Sequence, residues 1–265
     1  MDSADYRSRY NGAAVFIFIH IIALFTGFTV LAAVFEFPGV LRESAQYRLY
    51  LYRQGQAVIQ PVYWILAMTG FSQIAISVFL YRSFRSHSRT LLKFAVLFGV
   101  LAGILQTMGF IRWAILIPWL AERIAAPGVS AQTVETIGLI EGAFNRYAGM
   151  ALGGHTANIC LGLWTFLTGA AVFGDRLFDR KLGWFGAGVG LVAMLPALEQ
   201  LGIAPAVFEV IVEYGFPAWA VWLMVIAVSL LKTDPENGRG PSYGWKSFTW
   251  SASLYVLMIL PNLLG

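Results

Sequence analysis

Six stretches of the chain stay apolar for about the 20 residues that a helix needs to cross a bilayer core roughly 30 Å thick. They cover residues 13–35, 61–81, 94–120, 149–173, 182–202 and 206–231. A seventh apolar stretch, 248–264, is shorter and carries Pro261 near its end. Ser247 can cap its start, and Trp245 and Trp250 suit an interfacial belt, so it reads as a short seventh span in preference to an interfacial helix. The pattern predicts an all-α, polytopic transmembrane bundle: a six-span unit over 1–231, then a linker and the seventh segment over 232–265.

Two longer connections interrupt the pattern. Residues 36–60 hold Tyr47, Tyr50, Tyr52 and three arginines, and read as an amphipathic segment resting on the membrane surface. Residues 121–148 contain a turn at Pro127-Gly128 and a capping Ser130. Val134, Ile137, Ile140, Phe144 and Tyr147 follow at spacings of three and four, which predicts a helix with one apolar face. Both are expected on the outer side, where they cap the bundle or cover a pocket.

Orientation follows from the cations. With the N-terminus inside, twelve Lys and Arg residues face the cytoplasm and five (Arg42, Arg48, Arg53, Arg123 and Arg146) face out, while Arg112 lies within a span. That asymmetry is the positive-inside pattern. The first span is expected to be retained, because it lacks a small-residue cleavage site. No internal repeat is visible.

Composition agrees: 58% of the 265 residues are hydrophobic and 12% charged, against about 25% charged in a soluble domain. A dispersed net charge of +4 gives no clustered basic face for nucleic acid. One cysteine, Cys160, leaves no intrachain disulfide, so packing must hold the fold. Glycines four apart at Gly99/Gly103, Gly149/Gly153 and Gly186/Gly190 predict close helix contacts that make the third, fourth and fifth spans neighbours at the centre.

The candidate chemistry is sparse. A charge near the bilayer centre costs about 2.5–3.5 kcal/mol, so each one demands a partner or a role. Arg112, His155, Asn158, Glu199 and Glu213 fall at one outer-leaflet depth although they come from four spans. Glu199, with Glu213 or Glu209, is the expected counter-charge of Arg112, and His155 a hydrogen-bonding neighbour. The layer reads equally as a buried ion pair fixing helix register. His20 and His155 sit at different depths, which excludes a bis-histidine haem. Three scattered histidines and one cysteine make no zinc site. No lysine lies in mid-span to hold retinal, and no phosphate loop is present. Gln73 and Gln106 read as glue between helices. No cofactor is expected.

Three pieces resemble a family of bacterial multi-pass proteins, the domain of unknown function of DUF 4386 type. They are Leu105-Gln106-Thr107-Met108-Gly109-Phe110-Ile111-Arg112-Trp113, then Phe144-Asn145-Arg146-Tyr147-Ala148-Gly149 leading to His155 and Gly162-Leu163-Trp164-Thr165, and Leu195-Pro196-Ala197-Leu198-Glu199-Gln200-Leu201-Gly202. The chain departs from the family pattern at Gly154, where an acid would precede the histidine, and at Asn145, where a histidine often stands. Both departures count against a catalytic carboxylate–histidine pair. The resemblance implies an inner-membrane location and no assigned activity.

The reading that follows is an integral membrane protein that binds or moves a small lipophilic or anionic molecule through the outer-leaflet polar pocket. The alternative is a non-catalytic accessory subunit whose partners are other membrane-complex subunits as well as lipids. An enzyme with His155 as base ranks last, since no nucleophile accompanies it.

Overall fold

The computed structural model describes residues 3–84, 89–201, 205–236 and 239–241, except for the side chains of 199–201 and 205–213. His87 and the segment 248–264 lie outside them.

The described residues are nearly all helical and form no strand, only an isolated bridge between Asp234 and Arg239. Helix α1 spans Ser3–Phe35, α2 Ala45–Ser83, α3 Arg89–Ile124, α4 Ala131–Phe144, α5 Ala157–Val172, α6 Arg180–Met194 and α7 Pro205–Lys232. Among the described residues, five helical stretches are long and apolar enough to cross a membrane: Ser3–Phe35, Ala45–Ser83, Arg89–Ile124, Arg180–Leu198 and Tyr214–Lys232.

The stretch 149–173, expected as one α-helical span, is divided. Asn145–Thr156 winds as a π-helix and only Ala157–Val172 is α-helical. The wide turn holds three glycines, Gly149, Gly153 and Gly154, and lets the backbone at Gly153 press against Gly109 of α3. A Cβ built on either glycine would meet the other's Cα at 2.9 Å. The stretch 182–202 is also interrupted. It tightens into a 3-10 helix over Leu195–Leu201, where Pro196 has no N–H to continue the α-helical ladder.

Residues 45–60 do not form a separate surface segment. Ser44 caps α2 by accepting from the Tyr47 N–H at 3.2 Å, and the helix runs through Pro61 to Ser83 without a break. Its 39 residues measure about 58 Å at about 1.5 Å per residue. The turn before α4 is as expected: Gly128 takes φ 71° and Ser130 accepts from the Thr133 N–H at 3.1 Å.

The helices close into a circuit in which α1 packs on α2, α2 on α3, α3 on α5, α5 on α6, α6 on α7 and α7 back on α1. Each glycine pair seen in the sequence sits at a contact. Gly103 meets Gly70 of α2, Gly149 and Gly153 meet α3, and Gly190 meets Gly162 of α5. The three spans are neighbours in order, with α5 between α3 and α6. Lipid supplies no hydrophobic drive between helices, so such close backbone approach is the source of cohesion. The inside of the circuit is filled. Trp164 of α5 and Trp222 of α7 meet edge to face at 6.2 Å, and Trp219 donates to Thr165 Oγ1 at 3.0 Å. The outer faces are apolar, with Ile22, Phe71, Ile115, Leu139 and Trp184 exposed.

Candidate functional site

The described members of the expected polar layer have different partners. The Arg112 guanidinium donates to Gly109 O and, at 3.0 Å, to Asn145 Oδ1, and its central carbon lies 5.2 Å from the Trp113 ring. Gly149 makes room for it, since a Cβ there would strike the guanidinium. Its observed partners are therefore uncharged. The side chains of the expected counter-charges Glu199 and Glu213 lie outside the described residues.

The buried ion pair of this end is a different one. Arg48 donates from Nε to Glu141 Oε1 at 2.8 Å and from Nη2 to Oε2, with the two side chains 7% and 1% exposed. Arg48 Nη1 also donates to the Glu43 carbonyl, which ties the turn before α2 to α4. Bidentate pairing of this kind fixes direction as well as charge.

Sequence reasoning assigned Arg48 to a surface segment and passed over Glu141. Of the expected apolar face of α4, Phe144 and Tyr147 are 47% and 66% exposed, while Ile137 is buried together with Glu141 and Asn145. The correction has a simple cause. Glu141 turns in because its buried carboxylate has to meet a cation, and Arg48 supplies it. The spacing 137, 141, 145 was the signal available.

An aromatic shell surrounds the layer. Tyr63 stacks on Trp113 at 5.0 Å with 13° between planes, and Phe35 meets Trp113 edge-on at 5.1 Å. The Tyr52 hydroxyl donates to Trp113 O at 2.7 Å and Gln60 Nε2 to Ala114 O at 2.9 Å.

His155 and Asn158 face α6 and α7. His155 Nδ1 lies 2.8 Å from Ala197 O. A carbonyl only accepts, so Nδ1 carries the proton. Asn158 lines a narrow cleft of about 10 Å³ with Leu161, Ala193, Pro196, Phe216 and Trp219. Val192 and Gly215 line this cleft and also a larger groove of about 520 Å³ between α6 and α7, walled by Trp184, Phe185, Gly188, Val189, Tyr214 and Ala218. Cleft and groove thus share these two residues as a common wall.

A third polar group holds the middle of the bundle. His20 is 1% exposed, with Nδ1 3.1 Å from Thr69 O and 2.7 Å from Ser72 Oγ. Gln106 donates to Thr69 Oγ1 at 2.7 Å, joining α3 to α2 as expected. Gln73 reaches only Ser77 of its own helix, at 3.3 Å.

A family model described as Domain of unknown function (DUF4386) matches residues 12–230. No curated protein and no solved structure matches the chain.

Proposed function

We propose that this chain, which belongs to the DUF4386 family, binds a small lipophilic molecule with a polar head in the groove between α6 and α7. One observation carries the reading: the apolar groove and the cleft at Asn158 adjoin at Val192 and Gly215, which line both. A tail lies against Trp184, Phe185 and Val189, and a head reaches Asn158, with His155 one turn away. The groove is shaped for entry sideways from lipid, as apolar ligands favour apolar walls with few placed polar groups. Arg112 is already engaged elsewhere by Asn145 and Gly109, which favours a lipophile over an anion at this site.

The test is photolabelling of the purified protein with a diazirine-bearing fatty alcohol. Labels are expected to concentrate on residues 184–192 and 214–218. Gly188→Leu should reduce them about tenfold, equal to about 1.4 kcal/mol of binding, because nothing lies within 4 Å of a Cβ at Gly188 and the new side chain fills the groove without a clash. Labelling spread evenly over every apolar face would overturn the reading.

The same reading puts the protein in a bacterial inner membrane with its N-terminus in the cytoplasm and six crossings, the fourth of them formed by the π-helical segment with α5. Support comes from the basic residues gathered at one end. Arg7 donates to Leu231 O at 3.2 Å and Arg9 to Arg82 O at 3.1 Å, so the start of α1 meets the ends of α7 and α2. On this topology α4 caps the outer end. Alkaline phosphatase fused after Val129 is expected to be active and after Asp175 inactive; the reverse pattern would invert the bundle.

A further inference from the structure

Among the described side chains, the layer at Arg112 is short of one negative charge. The charged side chains described in it are Arg48, Arg112 and Glu141, and both Glu141 oxygens are taken by Arg48. Arg112 hydrogen-bonds only to a backbone carbonyl and an amide oxygen. Two buried polar atoms beside it, Arg112 Nε and the Tyr63 hydroxyl, have no hydrogen-bond partner. Both residues lie against Trp113, the Tyr63 ring at 5.0 Å and the guanidinium at 5.2 Å, and the two interact electrostatically. A guanidinium stays charged, and an uncompensated charge at this depth is costly. A water molecule would accept from the two donors and leave the charge unbalanced.

We propose that Arg112 and Tyr63 bind one small anionic group, with Arg112 Nε–H and Tyr63 O–H as its donors and Trp113 as the wall behind it. The occupant is a halide-sized ion or an anionic oxygen of a lipid headgroup that carries a net negative charge. Asn145 and Gly149 hold the guanidinium in place without competing for it, one through a neutral acceptor and the other through absence of a side chain. This site is independent of the groove between α6 and α7, and failure of either leaves the other standing.

The experiment uses the full chain in phosphatidylcholine nanodiscs and follows thermal unfolding under three conditions at equal ionic strength: sodium chloride, sodium gluconate, and gluconate with phosphatidylglycerol in the disc. A Tm higher in chloride identifies a free ion, and one higher only with phosphatidylglycerol identifies a headgroup. The expected rise is roughly 3–5 °C once the anion exceeds its Kd about tenfold. The rise should vanish in Arg112→Gln and in Tyr63→Phe, the latter keeping the stacked ring and losing only the hydroxyl. Equal Tm values in all three conditions, or a full-sized response in Tyr63→Phe, would overturn the proposal.

Discussion

Glu141→Gln is expected to destabilise the protein by about 3–5 kcal/mol, the cost of leaving one member of a buried ion pair uncompensated. Glu141 is 1% exposed and receives two charge-assisted bonds from Arg48. The amide removes the charge and turns one acceptor into a donor that faces the guanidinium. Because Arg48 also donates to the Glu43 carbonyl, the loss should loosen α4 and the turn before α2 together. Urea or thermal unfolding in nanodiscs reads the stability, and proteolysis near Pro127 reads the loosening of α4. The double change Arg48→Met with Glu141→Met should recover most of the loss, since apolar replacement of both partners removes the desolvation penalty along with the attraction. A double variant as unstable as Glu141→Gln would show that the pair matters through packing volume and not through charge.

The second large effect is expected at the crossing of α2 and α3. Gly70→Ala would place a methyl against the Gly103 carbonyl oxygen, and a Cβ on Gly103 would likewise strike Gly70 O. Both obstacles are backbone, which cannot rotate away. Overpacking of this kind costs about 1–3 kcal/mol, more than the gain of up to about 1 kcal/mol that alanine brings to a helix interior. Gly188→Ala supplies the internal comparison. Nothing lies within 4 Å of its Cβ, so the propensity gain acts unopposed and stability should stay level or rise. Heat denaturation of the two variants side by side checks the sign. Equal stability of both would mean that α2 and α3 can separate without cost.

The spans were legible because the bilayer imposes a length and a composition on whatever crosses it. The stretches 13–35, 61–81 and 94–120 all fall within α1, α2 and α3. The breaks were harder to see. Nothing in the apolar pattern of 149–173 distinguishes a π-helix from an α-helix, because the difference lies in how Gly153 meets Gly109 on another helix. Pro196 did carry a local signal, and the 3-10 turn around it was readable in principle.

The polar layer was legible only in part. Arg112, His155 and Asn158 stood out because polar residues in apolar stretches are costly wherever they lie. Sequence depth alone placed them together, but depth says nothing about rotation about a helix axis. Arg112 turns toward Asn145 and α4, whereas His155 turns toward Ala197. Arg48 and Glu141 were missed for the complementary reason. They lie 93 positions apart, in stretches polar enough to pass as solvated surface.

The amino-acid sequence by itself determined that this is a bundle of membrane helices, where most of them run, and that a few polar residues must be buried among them. Those conclusions rest on transfer energies, which depend on each residue and its near neighbours in the chain. Only the tertiary structure decided that Glu141 is a carboxylate that meets a buried arginine, Arg48. It also decided that Glu141 of α4 faces inward, and that an apolar groove opens between α6 and α7. These depend on which faces meet, a property of the packed helices taken together.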